Sequence, residues 1–205
     1  MREIVSVRPV FDIIMKLIRI ILSAAIALLA SSCATFPQNR LPKVEAGSTG
    51  GRKVPLTYSL TSAHNITGSR TEGGEQQKAV YRKSLVAAAE KSGHISSVKE
   101  GKGGVHVDVD MLNHGSGSMV LAFISGFTFT AIPAFAEDNY TLTATARNSS
   151  GKTRKYVLDD GVNTIIWLPM IFAMPTNSLT TIVPRTHENM FGNLILQMEK
   201  DGFLR

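Results

Sequence analysis

His106, Asp108 and Asp110 come closest to a chemical site by residue type and spacing. They alternate along one stretch, and His114 has the same parity. Imidazole and carboxylate are ordinary ligands for a divalent metal. Same-face neighbours on a strand stand ~7 Å apart, too far for all of them to converge on one ion. A solvated strand face is the plainer expectation, with these three kept as the metal candidates. The sequence has no G-x-S-x-G elbow. Gly101-Lys102-Gly103-Gly104 is half a phosphate loop, without the leading glycine spacing or the Ser/Thr after the lysine, and reads as a turn before a strand. His64, His94 and His187 fall in predicted loops or at a helix start, where solvation is expected. No catalytic set emerges, so neither an enzyme nor a cofactor is expected.

The remaining chemistry is that of one thiol. Cys33 is the only cysteine. Lys16 and Arg19 precede an uncharged apolar run over residues 20–29, and Ala30, Ser31 and Ser32 follow it. Basic, apolar and small residues in that order describe a secretory signal peptide. The apolar run is shorter than the ~20 residues that span a bilayer. Leu29-Ala30-Ser31-Ser32-Cys33 resembles the lipobox of bacterial lipoproteins, and the resemblance covers residues 15–34. It implies a diacylglyceryl thioether on Cys33, cleavage before it, and a third chain, such as palmitate, on the new amino terminus. Ala34 is not the aspartate that retains such proteins in the inner membrane, so the resemblance implies the outer membrane, periplasmic side. Glu3 and Asp12 fit a signal poorly, and Met15 is the working start. Residues 1–32 are thus expected to be a signal peptide.

Without residues 1–32 the net charge falls from +6 to +4, mildly basic and scattered. A nucleic-acid partner is not expected. Acylation leaves no thiol for a disulfide, a cysteine zinc site or a nucleophile. Residues 33–52 hold Pro37, Pro42, Gly47, Gly50 and Gly51 and read as a lipidated flexible tether. Residues 53–205 read as one domain.

Periodicity predicts its elements. Residues 54–60, 105–112, 140–147 and 153–159 alternate as strands. The last two form a hairpin about Asn148-Ser149-Ser150-Gly151. Residues 75–91 and 186–200 carry helical stripes, ending near Gly93 and Gly202. The expected fold is α+β: a mostly antiparallel sheet of about four strands, with two helices on one face.

Two apolar arms flank the hairpin. Residues 119–136 carry no charge and include Phe123, Phe127, Phe129 and Phe135. Residues 161–184 also carry none and include Trp167, Ile171 and Phe172. The hairpin should set Ala136 near Gly161, so that both arms leave one end of the sheet. One expectation is that both arms are core. Another is a membrane-dipping or partner-binding element, contacting through Phe123, Phe127, Phe129, Trp167, Ile171 and Phe172. A third is a strand pair in an oligomeric pore, which the Phe127–Thr130 alternation suits. A non-enzymatic, outer-membrane-anchored accessory or structural subunit is the leading functional expectation. A subunit of an oligomeric pore or export channel comes second, and an envelope hydrolase third.

Overall fold

The computed structural model describes residues 13–20, 23, 33–45, 47, 53–65, 68–128 and 130–204. Most of the expected signal peptide lies outside them; residues 13–20 are helical and exposed.

Seven strands form one sheet. They are β1 (Cys33–Pro37), β2 (Val54–Asn65), β3 (Arg70–Glu72), β4 (Ile95–Glu100), β5 (Val105–Gly117), β6 (Ala134–Arg147) and β7 (Thr153–Ile166). The helices are α1 (Glu75–Ser92), α2 (Met119–Phe127) and α3 (Leu179–Lys200), with a 3-10 turn at Leu168–Phe172. The order is β1-β7-β6-β5-β2-β3, and β4 also pairs with β2.

The fold is α+β, but the expected four-stranded, mostly antiparallel sheet is overturned. The sheet is mixed: β2 runs parallel to both β4 and β5, and the other pairings are antiparallel. The reason is connectivity. Helix α1 carries the chain back to the start of β2, and strands joined by such a crossover run parallel. Val54–Tyr58 of β2 then takes β4, while Ala63–Asn65 takes β3, so one edge is shared by two short strands.

Alternation builds the inner face. Leu56, Tyr58, Val107, Val109, Met111, Leu142, Ala144, Tyr156 and Leu158 are buried against Tyr81, Leu85 and Ala88 of α1 and Met190, Phe191, Leu194 and Met198 of α3. Glu75 in the first turn of α1 and Lys91 in the last suit the helix dipole. Gly93 stops the helix at φ 72°, where a side chain would be strained. Helix α3 starts at Leu179, earlier than predicted, because Pro184 lies inside it rather than before it.

The hairpin register is also corrected. Ala136 faces Thr164, and Gly161 faces Asn139. The turn fixes this: Gly151 N–H donates to the Asn148 carbonyl at 3.1 Å, and Asn148 Oδ1 accepts from Lys152 N–H at 3.0 Å. Both strands then continue to a last pair at Ala134 and Ile166.

The expected flexible tether is a strand and a strap in its described part. β1 pairs with β7, starting at Cys33 opposite Ile166. Beyond it the chain crosses α3. The Pro42 carbonyl accepts from the side-chain amides of Asn189 (3.1 Å) and Asn193 (2.9 Å), and Val44 N–H donates to Asn189 Oδ1 at 2.9 Å. Val44 packs so closely on Gly192 that a Cβ there would meet its side chain at 3.2 Å. Gly47 N–H donates to the Lys91 carbonyl at 3.1 Å.

Candidate functional site

Three places could carry chemistry or contact. The first is the outer face of the sheet, opposite the helices. Here His106, Asp108 and Asp110 stand across from Thr57, Ser59 and Thr61 of β2. Each is tied to the hydroxyl opposite. His106 Nδ1 shares a hydrogen with Thr57 Oγ1 (3.0 Å), Ser59 donates to Asp108 (2.5 Å) and Thr61 donates to Asp110 (2.9 Å). Asp108 also meets His106 Nε2 at 3.1 Å and Arg147 at 3.3 Å, while Asp110 receives two bonds from Arg70. The Ser59 hydroxyl, with His106 and Arg147, holds the Asp108 carboxyl below its usual range. The result is a cross-strand ladder in which every carboxylate has donors. Among the described residues no group of three His, Cys, Asp or Glu is placed to hold a metal. Asp108→Asn together with Asp110→Asn is expected to cost no more than about 1 kcal/mol, as for other solvent-exposed pairs. Stoichiometric metal in the purified protein, lost in that double variant, would overturn this.

The second place is a groove of about 440 Å³ between the strap, the end of α1 and α3. Lys91, His94, Asp160, Arg185 and Glu188 line it. Its charges are mixed and partly self-satisfied, with Lys91 on Glu188 and His94 3.4 Å from Glu199. His187, expected in solvent, lies elsewhere: it is buried among Tyr81 and Tyr140, and neither ring nitrogen has a partner.

The third place is the end of the sheet where the arms leave. Cys33, Ile166 and Ala134 form one row across β1, β7 and β6. Adjacent strands are ~4.8 Å apart, so Cys33 lies ~10 Å from the start of β6. The arms meet at this end. Leu168 N–H donates to the Thr130 carbonyl at 3.1 Å, and Thr35 N–H of β1 donates to the Asn177 carbonyl at 2.7 Å. The second arm is thus tied both to the first arm and to the strand that begins at Cys33.

Most of the residues singled out in the sequence are on the surface here. Phe123 is 76% exposed, Phe127 79%, Trp167 37% and Phe172 89%. Ile171 is half-buried. Phe129 lies outside the described residues. Phe135, named in the first arm, is 55% exposed, and Val120, Leu121, Ile132, Leu168 and Leu179, which the sequence reading did not single out, are also exposed. All fall inside the two charge-free runs, and that was the available signal. The core reading therefore fails for most of the apolar side chains in these arms. The strand-pair reading fails as well, because α2 ends within the Phe127–Thr130 stretch. Burial pushes the Cys33 thiol up, which disfavours the thiolate at neutral pH. No helix among the described residues is long and apolar enough to cross a membrane.

Fold and site define an α+β domain with an uncovered apolar end. No family model and no curated protein matches the chain. Among solved structures, protein XCC0632 from Xanthomonas campestris is 11% identical, covering 80% of this chain and 92% of its own, with a TM-score of 0.38. A PelC dodecamer from Paraburkholderia phytofirmans is 8% identical, covering 80% and 94%, with a TM-score of 0.28. Similarity at this level carries no argument about function.

Proposed function

We propose that this chain is a lipoprotein of the bacterial outer membrane, anchored through acylated Cys33 and facing the periplasm. It acts without catalysis, as an accessory or structural subunit of the envelope. One observation supports this above the others: the lipobox-like cysteine opens β1 at the same end of the sheet where both charge-free arms emerge. An acyl anchor there places the apolar end toward lipid and the polar ladder away from it. Each buried methylene contributes ~0.8 kcal/mol, so three chains hold a protein where one binds only marginally. The non-catalytic reading draws on the outer-face carboxylates, which are held by hydroxyls and arginines.

Metabolic labelling with palmitate is expected to mark the protein, and Cys33→Ser is expected to abolish the label. Undiminished labelling of that variant would refute the anchor. A pore or export-channel subunit is the second reading, because exposed α2 would equally be covered between copies. A closed ring measured by light scattering of detergent-solubilised protein would favour it.

A further inference from the structure

Helix α2 leaves apolar side chains exposed all round: Val120 is 68% exposed, Leu121 38%, Phe123 76%, Ile124 36% and Phe127 79%, and of its described side chains only Ser125 is buried. A helix that is apolar all round belongs inside a larger core or inside a bilayer, not in water. Its backbone is capped at both ends. The Ser118 hydroxyl accepts from Leu121 N–H at 3.2 Å. At the other end, the Thr128 N–H and hydroxyl both donate to the Ile124 carbonyl at 2.9 Å, and Thr130 N–H donates to the Ser125 carbonyl at 2.6 Å. Lipid demands this capping, because an unpaired backbone group there costs several kcal/mol.

We infer that the arm end is a monotopic insertion surface, with α2, Trp167 and Phe172 entering the interfacial layer of the leaflet that holds the anchor of Cys33. The inference rests on the anchor reading for which leaflet it enters, and on the arms themselves for insertion. Lipid is the occupant that three observations share. The arms carry no charge from residue 119 to 136 or from 161 to 184. Cys33, the residue of the lipobox resemblance, opens β1 in the row that ends β7 and begins β6, where the arms emerge. Nine helical residues extend only ~13 Å, against a hydrocarbon core of ~30 Å, so α2 enters one leaflet and does not cross. With β1 pinned to β7 and the strap pinned to α3, covalent anchor and inserted arms hold the domain in a single orientation.

Trp167 is the only tryptophan and reports on this directly. The test uses the full chain reconstituted in phosphatidylethanolamine–phosphatidylglycerol vesicles containing lipids brominated at defined depths. Trp167 emission is expected to shift to shorter wavelength and to fall by about half or more with shallow bromines, as for an interfacial tryptophan. Phe123→Ser with Phe127→Ser is expected to abolish most of the quenching while the melting temperature holds. Because quenching is read whether or not palmitate labels the protein, failure of the anchor and failure of insertion give separate results. Trp167 unquenched in the parent chain would overturn the inference. So would quenching unchanged in the double variant, or cross-linking of copies through α2 with Trp167 left unquenched, which would make a second copy the occupant.

Discussion

Phe191→Ala is expected to cost about 3–5 kcal/mol, whereas Phe127→Ala, the same deletion 64 positions earlier, stays within about 0.5 kcal/mol. Phe191 is fully buried on α3, within the cluster that also holds Met190, Leu194 and Ile195. Removing its ring loses the transfer free energy and leaves a cavity that close-packed neighbours fill only in part. Phe127 is 79% exposed and leaves no cavity. In a domain this size 1 kcal/mol moves the midpoint by about 2–4 °C, so Phe191→Ala should melt about 10 °C lower. Thermal unfolding in the absence of lipid and detergent measures both. Equal losses in the two variants would mean that the first arm is core after all.

Acidification should destabilise the parent chain through His187. Its ring lies edge-on to Tyr81 (4.8 Å between centroids) and Tyr140 (4.4 Å), is 2% exposed, and has no hydrogen-bond partner at either nitrogen. Burial pushes its pKa down from 6.5 to about 3. The sign follows from linkage. Below pH 6.5 the unfolded chain takes up a proton that the folded chain refuses, so stability is lost as pH falls from 6.5 toward 3. The slope approaches about 1.4 kcal/mol per pH unit within that window. The lowered carboxyl of Asp108 adds loss of the same sign only below its ordinary range near 4, so the interval from pH 6 to 4.5 isolates the histidine. His187→Phe, which keeps an aromatic ring between the two tyrosines, is expected to remove the slope there. Urea titrations at pH 6 and 4.5 decide it, and an undiminished slope in the variant would refute the assignment.

What the sequence made legible followed burial on one side only. β5 alternates because Val107, Val109 and Met111 face the helices, and the periodicity showed it. β3 is Arg-Thr-Glu with all three exposed, and β4 buries only Ile95, so neither carries a pattern. Both are strands because β2 has an edge to share, which is a property of the partner. Strand β1 hides in a stretch read as a tether for its prolines and glycines, for the same reason. His187 was misplaced because the helical stripe was read only from residue 186, which set position 187 at a helix start. With α3 starting at Leu179, position 187 lies in the third turn, facing Tyr140. The arms were visible as charge-free runs, but composition alone does not separate core from surface. That depends on α1 and α3 having already covered the inner face, leaving it no room for a third helix.

The place of β1 in the sheet also sets an order in time. Thr35 meets Thr164 across 129 residues of chain, and the strap waits for α3, which is made later still. The strand bearing Cys33 therefore emerges first and docks last. While the rest is being made, Cys33 sits in chain whose sheet partner does not yet exist. Contacts this distant form slowly, and during the wait β7 presents a bare edge to any other extended chain. Closure of β1 ends both conditions at once, pairing Cys33 with Ile166 and sealing the edge of β7.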